Sequence, residues 1–192
     1  MVGKIKIGNR VKETFHDHVP VAHKAKRVVG SRGQYAIVHF GERKILNLGI
    51  SEILPGSKEL TFKETNGKTA ATFWVSNSHH EGWWVTHRYV EQEYRGYNLG
   101  KLGFGLSEKV VKQNGGHKIS VSVLSVQPGV MAVLLSMGYA ICPATIPAFK
   151  KFLKIPEGQK LPSKQKVLSQ IRHGRLEHIW DPVVFEKKLV DE

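Results

Sequence analysis

Disulfides, a membrane-spanning run and a balancing share of acidic residues are all missing from this chain of 192 residues. Cys142 is the only cysteine, so no internal disulfide can form, which fits a reducing cytosol. No apolar run approaches the roughly 18 residues needed to cross a bilayer, and the amino terminus lacks the apolar core of a signal peptide. The expectation is a cytoplasmic protein with no membrane partner. His16, His18 and His23 stand at no metal-binding spacing and have no matching cysteine, so no metal is expected. No repeat or low-complexity segment interrupts the chain, and a single domain of this length buries about 70% of its unfolded surface.

The shortage of acid is not evenly spread. Lysine and arginine exceed aspartate and glutamate by 29 to 16, a net charge of +13. Residues 1–32 hold eight basic and two acidic groups, 33–139 eleven and eight, and 140–192 ten and six. Most of the excess therefore lies on the two flanks, which suggests an acidic partner or nucleic acid, the plainer reading being a solvated basic surface.

The most informative stretch runs from Trp83 to Tyr139. Trp83–Val90 reads as an apolar and aromatic strand, followed by the turn Glu91-Gln92-Glu93-Tyr94-Arg95-Gly96-Tyr97-Asn98-Leu99-Gly100. Leu99, Leu102, Leu106, Val110 and Val111 recur at helical spacing, and Asn114-Gly115-Gly116 ends the helix. Lys118–Leu124 alternates strictly, as a strand does. A strand, a glycine-bearing turn and a helix together make an anion site. The first amides of a helix have no internal partner, and its macrodipole adds about half a positive charge there. Two better-known phosphate loops fail on spacing. Gly96 to Gly100 encloses three residues rather than the four of a Walker loop, and Lys101 precedes Leu102. The glycines at 96, 100, 103 and 105 fit no dinucleotide fingerprint.

This stretch resembles the central motif of the GNAT superfamily of acyl-CoA-dependent N-acyltransferases. That motif is a strand ending in valine, then Tyr-Arg-Gly, then Arg/Gln-x-x-Gly-x-Gly/Ala entering a helix. Here Val90, Tyr94-Arg95-Gly96 and Gly100 match, with Asn98 at the first motif glycine, a residue that tolerates a left-handed backbone. The resemblance continues through a second helix, Pro128 to Met137, to Gly138-Tyr139 at the opening of the next strand. It implies an α/β fold whose mixed, mostly antiparallel sheet is flanked by helices. Residues 1–82 would form amino-terminal helices and antiparallel strands, 83–139 the acyl-CoA core, and 140–192 a basic insertion and the final strand. It also implies acetyl-CoA as co-substrate and a primary amine as acceptor. The amides of Arg95, Gly96, Tyr97, Asn98, Leu99, Gly100 and Lys101 would hold the diphosphate, and the backbone of Arg88, Tyr89 and Val90 would pair with the pantetheine arm. Lys101 or Arg95 would add charge.

His87 shares a strand face with Val85 and Tyr89, and an imidazole titrates near neutrality, so His87 is a candidate base. Glu91 is a second, and His79, His80 and Glu81 are rivals. A lone strand histidine is more often structural. Counting back from Gly138 puts Leu134 where the family often has a tyrosine donor and Gln127 where it often has asparagine. Gln127 can hydrogen-bond, but Leu134 cannot donate a proton. Leu134 instead completes a core-like stripe with Val130, Val133 and Met137. Ser125 or Tyr97 would have to protonate the thiolate, or it leaves as an anion. A GNAT fold kept only as a binding module for nucleic acid or an acidic protein is the competing class.

Elsewhere the pattern predicts a strand over Lys4–Ile7, a basic helix over Val21–Val29, and strands over Tyr35–Phe40 and Lys44–Leu46 around a turn at Gly41-Glu42. A hairpin joins Leu60–Lys63 to Thr69–Val75 around Asn66-Gly67. Ser76–Gly82 reads as a polar loop. Ala148–Leu153 and Ser163–Ile171 read as short helices within the insertion, and Val183–Leu189 as the last strand.

Overall fold

A computed structural model describes residues 27–31, 34–39, 42–78 and 82–189. Nine strands are present among them: β1 (Arg27–Ser31), β2 (Gln34–His39), β3 (Glu42–Leu54), β4 (Ser57–Glu64), β5 (Thr69–Ser78), β6 (Gly82–Val90), β7 (Lys118–Val123), β8 (Ala140–Ile141) and β9 (Val183–Lys188). Four α-helices accompany them: α1 (Leu99–Gln113), α2 (Pro128–Ser136), α3 (Ile146–Phe152) and α4 (Lys164–His173). The chain forms two compact units, Met1–Val75 with His87–Ser107, and Ser76–Thr86 with Glu108–Glu192.

In the first unit, hydrogen-bonded neighbours run β1-β2-β3-β4-β5-β6. The β1–β2, β2–β3 and β3–β4 pairs are antiparallel. Ala71, Phe73 and Val75 of β5 are buried, as are Leu60 and Phe62 of β4, and these residues form one face of the sheet. The first half of α1 packs there. Phe73 meets Phe62 and Phe104 edge-on, with ring centroids 6.5 and 5.6 Å apart. Gly103 makes this packing possible, because a Cβ at that position would overlap the Phe73 ring.

In the second unit the order is β6-β7-β9-β8. The β6–β7 pair is parallel, whereas β7–β9 and β8–β9 are antiparallel. The mixed, mostly antiparallel sheet and its flanking helices are thus as expected. Gly116, after α1, carries no side chain because a Cβ there would run into Val111 and Trp83. The insertion is part of this unit's core: Phe149, Phe152 and Leu153 around α3 and Val167 and Ile171 on α4 are buried. α4 packs on α2 and α3 on β9. Ser125 fastens the loop before β9, donating to the Ile179 carbonyl at 2.7 Å and accepting from its amide at 3.1 Å. Glu108 of α1 pairs with Lys187 of β9 at 2.7 Å, and Lys187 lies 5.6 Å from the centre of the Tyr139 ring.

Several local expectations are corrected. Arg27–Val29 belong to strand β1 rather than a basic helix, because Val28 and Val29 pair across to Ile37 and Ala36. Residues 21–26, like the expected strand at Lys4–Ile7, lie outside the described residues. Glu42 opens β3 instead of turning, and Ser76–Ser78 continue β5 instead of looping. β3 is far longer than Lys44–Leu46. Its polar residues are carried by pairing with β4 through a two-residue turn, Pro55-Gly56, in which Gly56 takes a φ of 74°. The stripe on α2 is buried at Met131, Leu134 and Leu135, so of the residues expected there only Leu134 is core.

The hairpin at Asn66-Gly67 forms as expected, closed by the Glu64 amide on the Lys68 carbonyl at 2.8 Å and the Lys68 amide on Asn66 Oδ1 at 2.9 Å. It also positions Glu64, whose carboxylate accepts from the buried Tyr94 hydroxyl at 2.6 Å and lies 3.4 Å from Lys44 Nζ. The Tyr94 hydrogen bond, ahead of Lys44, holds the Glu64 carboxyl below its usual range, while burial and then Glu64 push the Tyr94 phenol well up.

Two glycines on one helix should respond with opposite signs. Gly105→Ala meets nothing within 4 Å among the described residues and should gain about 0.5–1 kcal/mol of helix propensity, whereas Gly103→Ala should lose about 1–2 kcal/mol against Phe73. Urea unfolding of both variants checks this, and a stabilised Gly103→Ala contradicts the packing described. Because the Glu64 carboxyl is depressed in the fold, its contribution is complete above its unfolded value and fades as pH falls through the folded one. Tyr94→Phe should therefore cost about 1–2 kcal/mol at pH 7, with the gap to wild type narrowing on acidification below about pH 4.3. A gap independent of pH would contradict this account.

Candidate acyl-CoA site

The site grows from the end of β6. Trp83 and Val85 are buried, and the ladder to β7 pairs Trp83, Trp84 and Val85 with Ile119, Ser120 and Val121. β6 runs on to Val90 and β7 to Val123, beyond the last paired residues. Arg88, Tyr89 and Val90, the expected partners of the pantetheine arm, lie on that continuation. Burial lowers the pKa of the Arg88 guanidinium.

After β6 the chain turns through alternating anchors and exposed backbone. The Glu91 amide donates to the Ala70 carbonyl at 3.0 Å, fixing the turn to β5. Gln92–Tyr94 makes one 3-10 turn. Tyr94, Tyr97 and Leu99 are buried, whereas Arg95, Gly96 and Asn98 between them are exposed. Gly96 (φ 86°) and Asn98 (φ 64°) both adopt the left-handed conformation, which glycine takes freely and asparagine better than most. The Asn98 carbonyl accepts the first helical hydrogen bond, from the Leu102 amide at 3.0 Å, so Asn98 caps α1. Leu99, Gly100 and Lys101 form the first turn, whose amides have no carbonyl in reach within the helix. A Cβ on Gly100 would meet nothing within 4 Å among the described residues. The mouth of α1 is open at the residue that the family motif reserves for glycine.

One of the expected diphosphate ligands, Arg95, has other engagements. The Arg95 amide donates to the Gln92 carbonyl at 3.2 Å, and its Nε donates to the Val90 carbonyl at 3.1 Å. Lys101 is exposed and lies in the first turn of α1. Gln127 lies in the second unit, at the cap of α2, and its side chain does not close that helix.

His87 is exposed on the sheet face opposite α1, since it packs on Trp74, whose neighbour Phe73 faces the helix. The His87 and Trp74 ring centroids are 4.9 Å apart, and Trp74 Nε1 donates to Glu59 Oε1 at 3.0 Å. Glu59, Trp74 and His87 thus form a line across three adjacent strands. Trp74 and Glu59 were not singled out from sequence. Their outward positions in β4 and β5 are the signal for them, and the register of three strands is needed to use it. Glu91 is half-buried and accepts a 3.3 Å hydrogen bond from the Tyr89 hydroxyl. His79, His80, Glu81 and the three early histidines lie outside the described residues. Leu134 is completely buried, Ser125 is committed to Ile179, and Tyr97 is buried in the turn before α1.

No family model and no curated protein matches the sequence. Solved structures do resemble the fold. The Bacillus subtilis acetyltransferase in complex with CoA superposes with a TM-score of 0.53, covering 76% of this chain and 99% of that one at 11% identity. An acetyltransferase of the GNAT family from Staphylococcus aureus Mu50 gives 0.47 over 70% and 69% at 10% identity. The IAA acetyltransferase of Bacillus cereus gives 0.48 over 70% and 79% at 12% identity. Together with the parallel β6–β7 pair and the glycine-bearing turn into α1, the Bacillus subtilis match shows that this chain shares the fold of that acetyltransferase.

Proposed function

We propose that the protein is an N-acetyltransferase that moves the acetyl group of acetyl-CoA to a primary amine. The observation that carries this reading is the open mouth of α1, where first-turn amides stand beside a glycine with empty space over it. Those amides, from Gly96 to Lys101, hold the diphosphate, and the Lys101 ammonium adds charge to it. The end of β6 offers its backbone to the pantetheine arm and one amide to the thioester carbonyl.

His87, with Glu91 as the alternative, takes a proton from the acceptor's ammonium and leaves a neutral amine. The amine nitrogen attacks the thioester carbon, a C–N bond forms, and the negative charge gathers on the oxygen, which the β6 amide stabilises. The carbonyl then re-forms as the C–S bond breaks, the new amide nitrogen gives up its remaining extra proton to solvent, and the thiolate departs, either as an anion or with a proton from the Tyr97 hydroxyl. Leu134 excludes the donor that the family often uses at that position.

Gly100→Ala separates binding from folding. It should raise stability by about 0.5–1 kcal/mol through helix propensity while weakening acetyl-CoA about tenfold. Thermal melts and titration calorimetry read the two effects, and unchanged affinity would remove the helix mouth as the diphosphate site. His87→Ala should lower thiol release from acetyl-CoA, assayed over a panel of primary amines, by about 10²-fold or more with acetyl-CoA affinity near wild type. Equal turnover would eliminate His87, and Glu91→Gln assayed alongside then decides for or against the carboxylate.

A further inference from the structure

The basic insertion is not accounted for by acyl transfer. Residues 143–182 carry eight lysines and arginines against three acidic residues. Part of that charge lines a cavity of about 750 Å³, formed by Ile146, Pro147, Lys150, Lys151, Lys154, Ile155, Pro156, Glu157 and Glu177, all in the second unit. Two isoleucines and two prolines supply apolar lining, and three lysines with two glutamates supply the charged lining.

The backbone places these lysines in an unusual way. α3 ends in a reverse turn, with the Lys154 amide on the Lys151 carbonyl and the Ile155 amide on the Lys150 carbonyl, both at 2.9 Å. This turn demands a left-handed residue just after the helix, a place usually held by glycine. Here Lys154 occupies it at φ 56°, one of only two non-glycine residues with positive φ among the described residues. A long side chain is kept where the backbone favours none, and it lines the same cavity as the two helix lysines. Among the described residues, no carboxylate lies within ion-pairing distance of Lys150, Lys151 or Lys154, although Glu157 and Glu177 line the same cavity.

We propose that this cavity binds the phosphodiester backbone of nucleic acid, with Lys150, Lys151 and Lys154 each facing a phosphate. Lysines without arginine forks or aromatic rings suit phosphate contact rather than base readout, so binding is independent of sequence. Lys151, Lys154, Pro156 and Glu157 are exposed at the rim, so the cavity is wide rather than enclosing. Lys160, Lys164, Lys166, Arg172 and Arg175 of the same insertion are exposed too, which extends the charge beyond what one small phosphate needs. The site is independent of the acyl-CoA reading, and either can fail without the other.

Fluorescence anisotropy of the full chain with a labelled 20-nucleotide RNA, titrated across salt, tests this. Lys150→Gln/Lys151→Gln/Lys154→Asn should bind about tenfold more weakly and lower the slope of log K against log salt by about 2, which is three phosphates on a single strand. Asparagine at 154 keeps the left-handed turn. Lys63→Gln/Lys109→Gln/Lys112→Gln, with the same loss of charge, should leave most of the affinity. Lys154→Gly should keep or raise the melting temperature while weakening RNA binding, so that lost binding is not lost folding. Acetyl-CoA affinity should not change in any of them. Equal weakening by both triple variants, equal affinity for poly-glutamate, complete competition by millimolar inorganic phosphate, or absence of RNA binding would each overturn the proposal.

Discussion

Three buried side chains, Tyr94, Tyr97 and Leu99, hold the turn between β6 and α1 in place, and most of what can be said about the first unit depends on them. They fall between exposed residues, so the chain is fastened at alternate points while its backbone faces outward. Tyr94 is the firmest anchor, because its hydroxyl ends on a carboxylate presented by the β4–β5 hairpin. Helix placement follows from the same economy of side chains. Gly103 lets α1 approach Phe73 closely, and Gly100, one turn earlier, leaves the helix mouth clear. The two glycines serve opposite ends, one admitting the protein's own ring and the other keeping its atoms away.

The central stretch was legible because its signals are local. Strand alternation, helical spacing and the Asn66-Gly67 hairpin each rest on a few adjacent residues, and all appear where expected. What was not legible depends on partners distant in sequence. β3 contains Asn47, Gly49, Ser51 and Glu52, weak strand formers that are held by β4, and the Pro55-Gly56 pair was the clue to that hairpin. Arg27–Val29 carry side chains that suit either a basic helix or a strand, and pairing with β2 decides between them. The link from Glu59 through Trp74 to His87 requires the order of three strands, which no spacing in one strand reveals.

In the second unit, charge is used inside the packing as well as outside it. Glu108, Lys187 and Tyr139 come together from α1, β9 and the approach to β8. Burial, then Glu108, raises the Tyr139 phenol, so it stays protonated beside a carboxylate already paired with a lysine. That group ties three elements together in one place, and Ser125 does the same for the loop before β9 with a donor and an acceptor on one residue. The insertion is consequently a covered part of the fold, with apolar residues inside and its lysines directed outward. Its surface is therefore free to carry charge without cost to the core.

The departures from the family motif bear unequally on chemistry. Asn98 in place of glycine changes little, since it takes the same left-handed conformation and still caps α1. Leu134 in place of tyrosine changes more, because a fully buried leucine has no proton to donate. A thiol is a far stronger acid than an alcohol or an amine, so a thiolate can depart without a partner and the loss falls on rate rather than on feasibility. The acceptor is the opposite case. An ammonium has no lone pair to attack with, so a base is indispensable in a way that the acid is not. On the acetyl-transfer reading proposed above, the chemical demand therefore falls on His87 and on the Tyr89–Glu91 pair before it falls on Leu134.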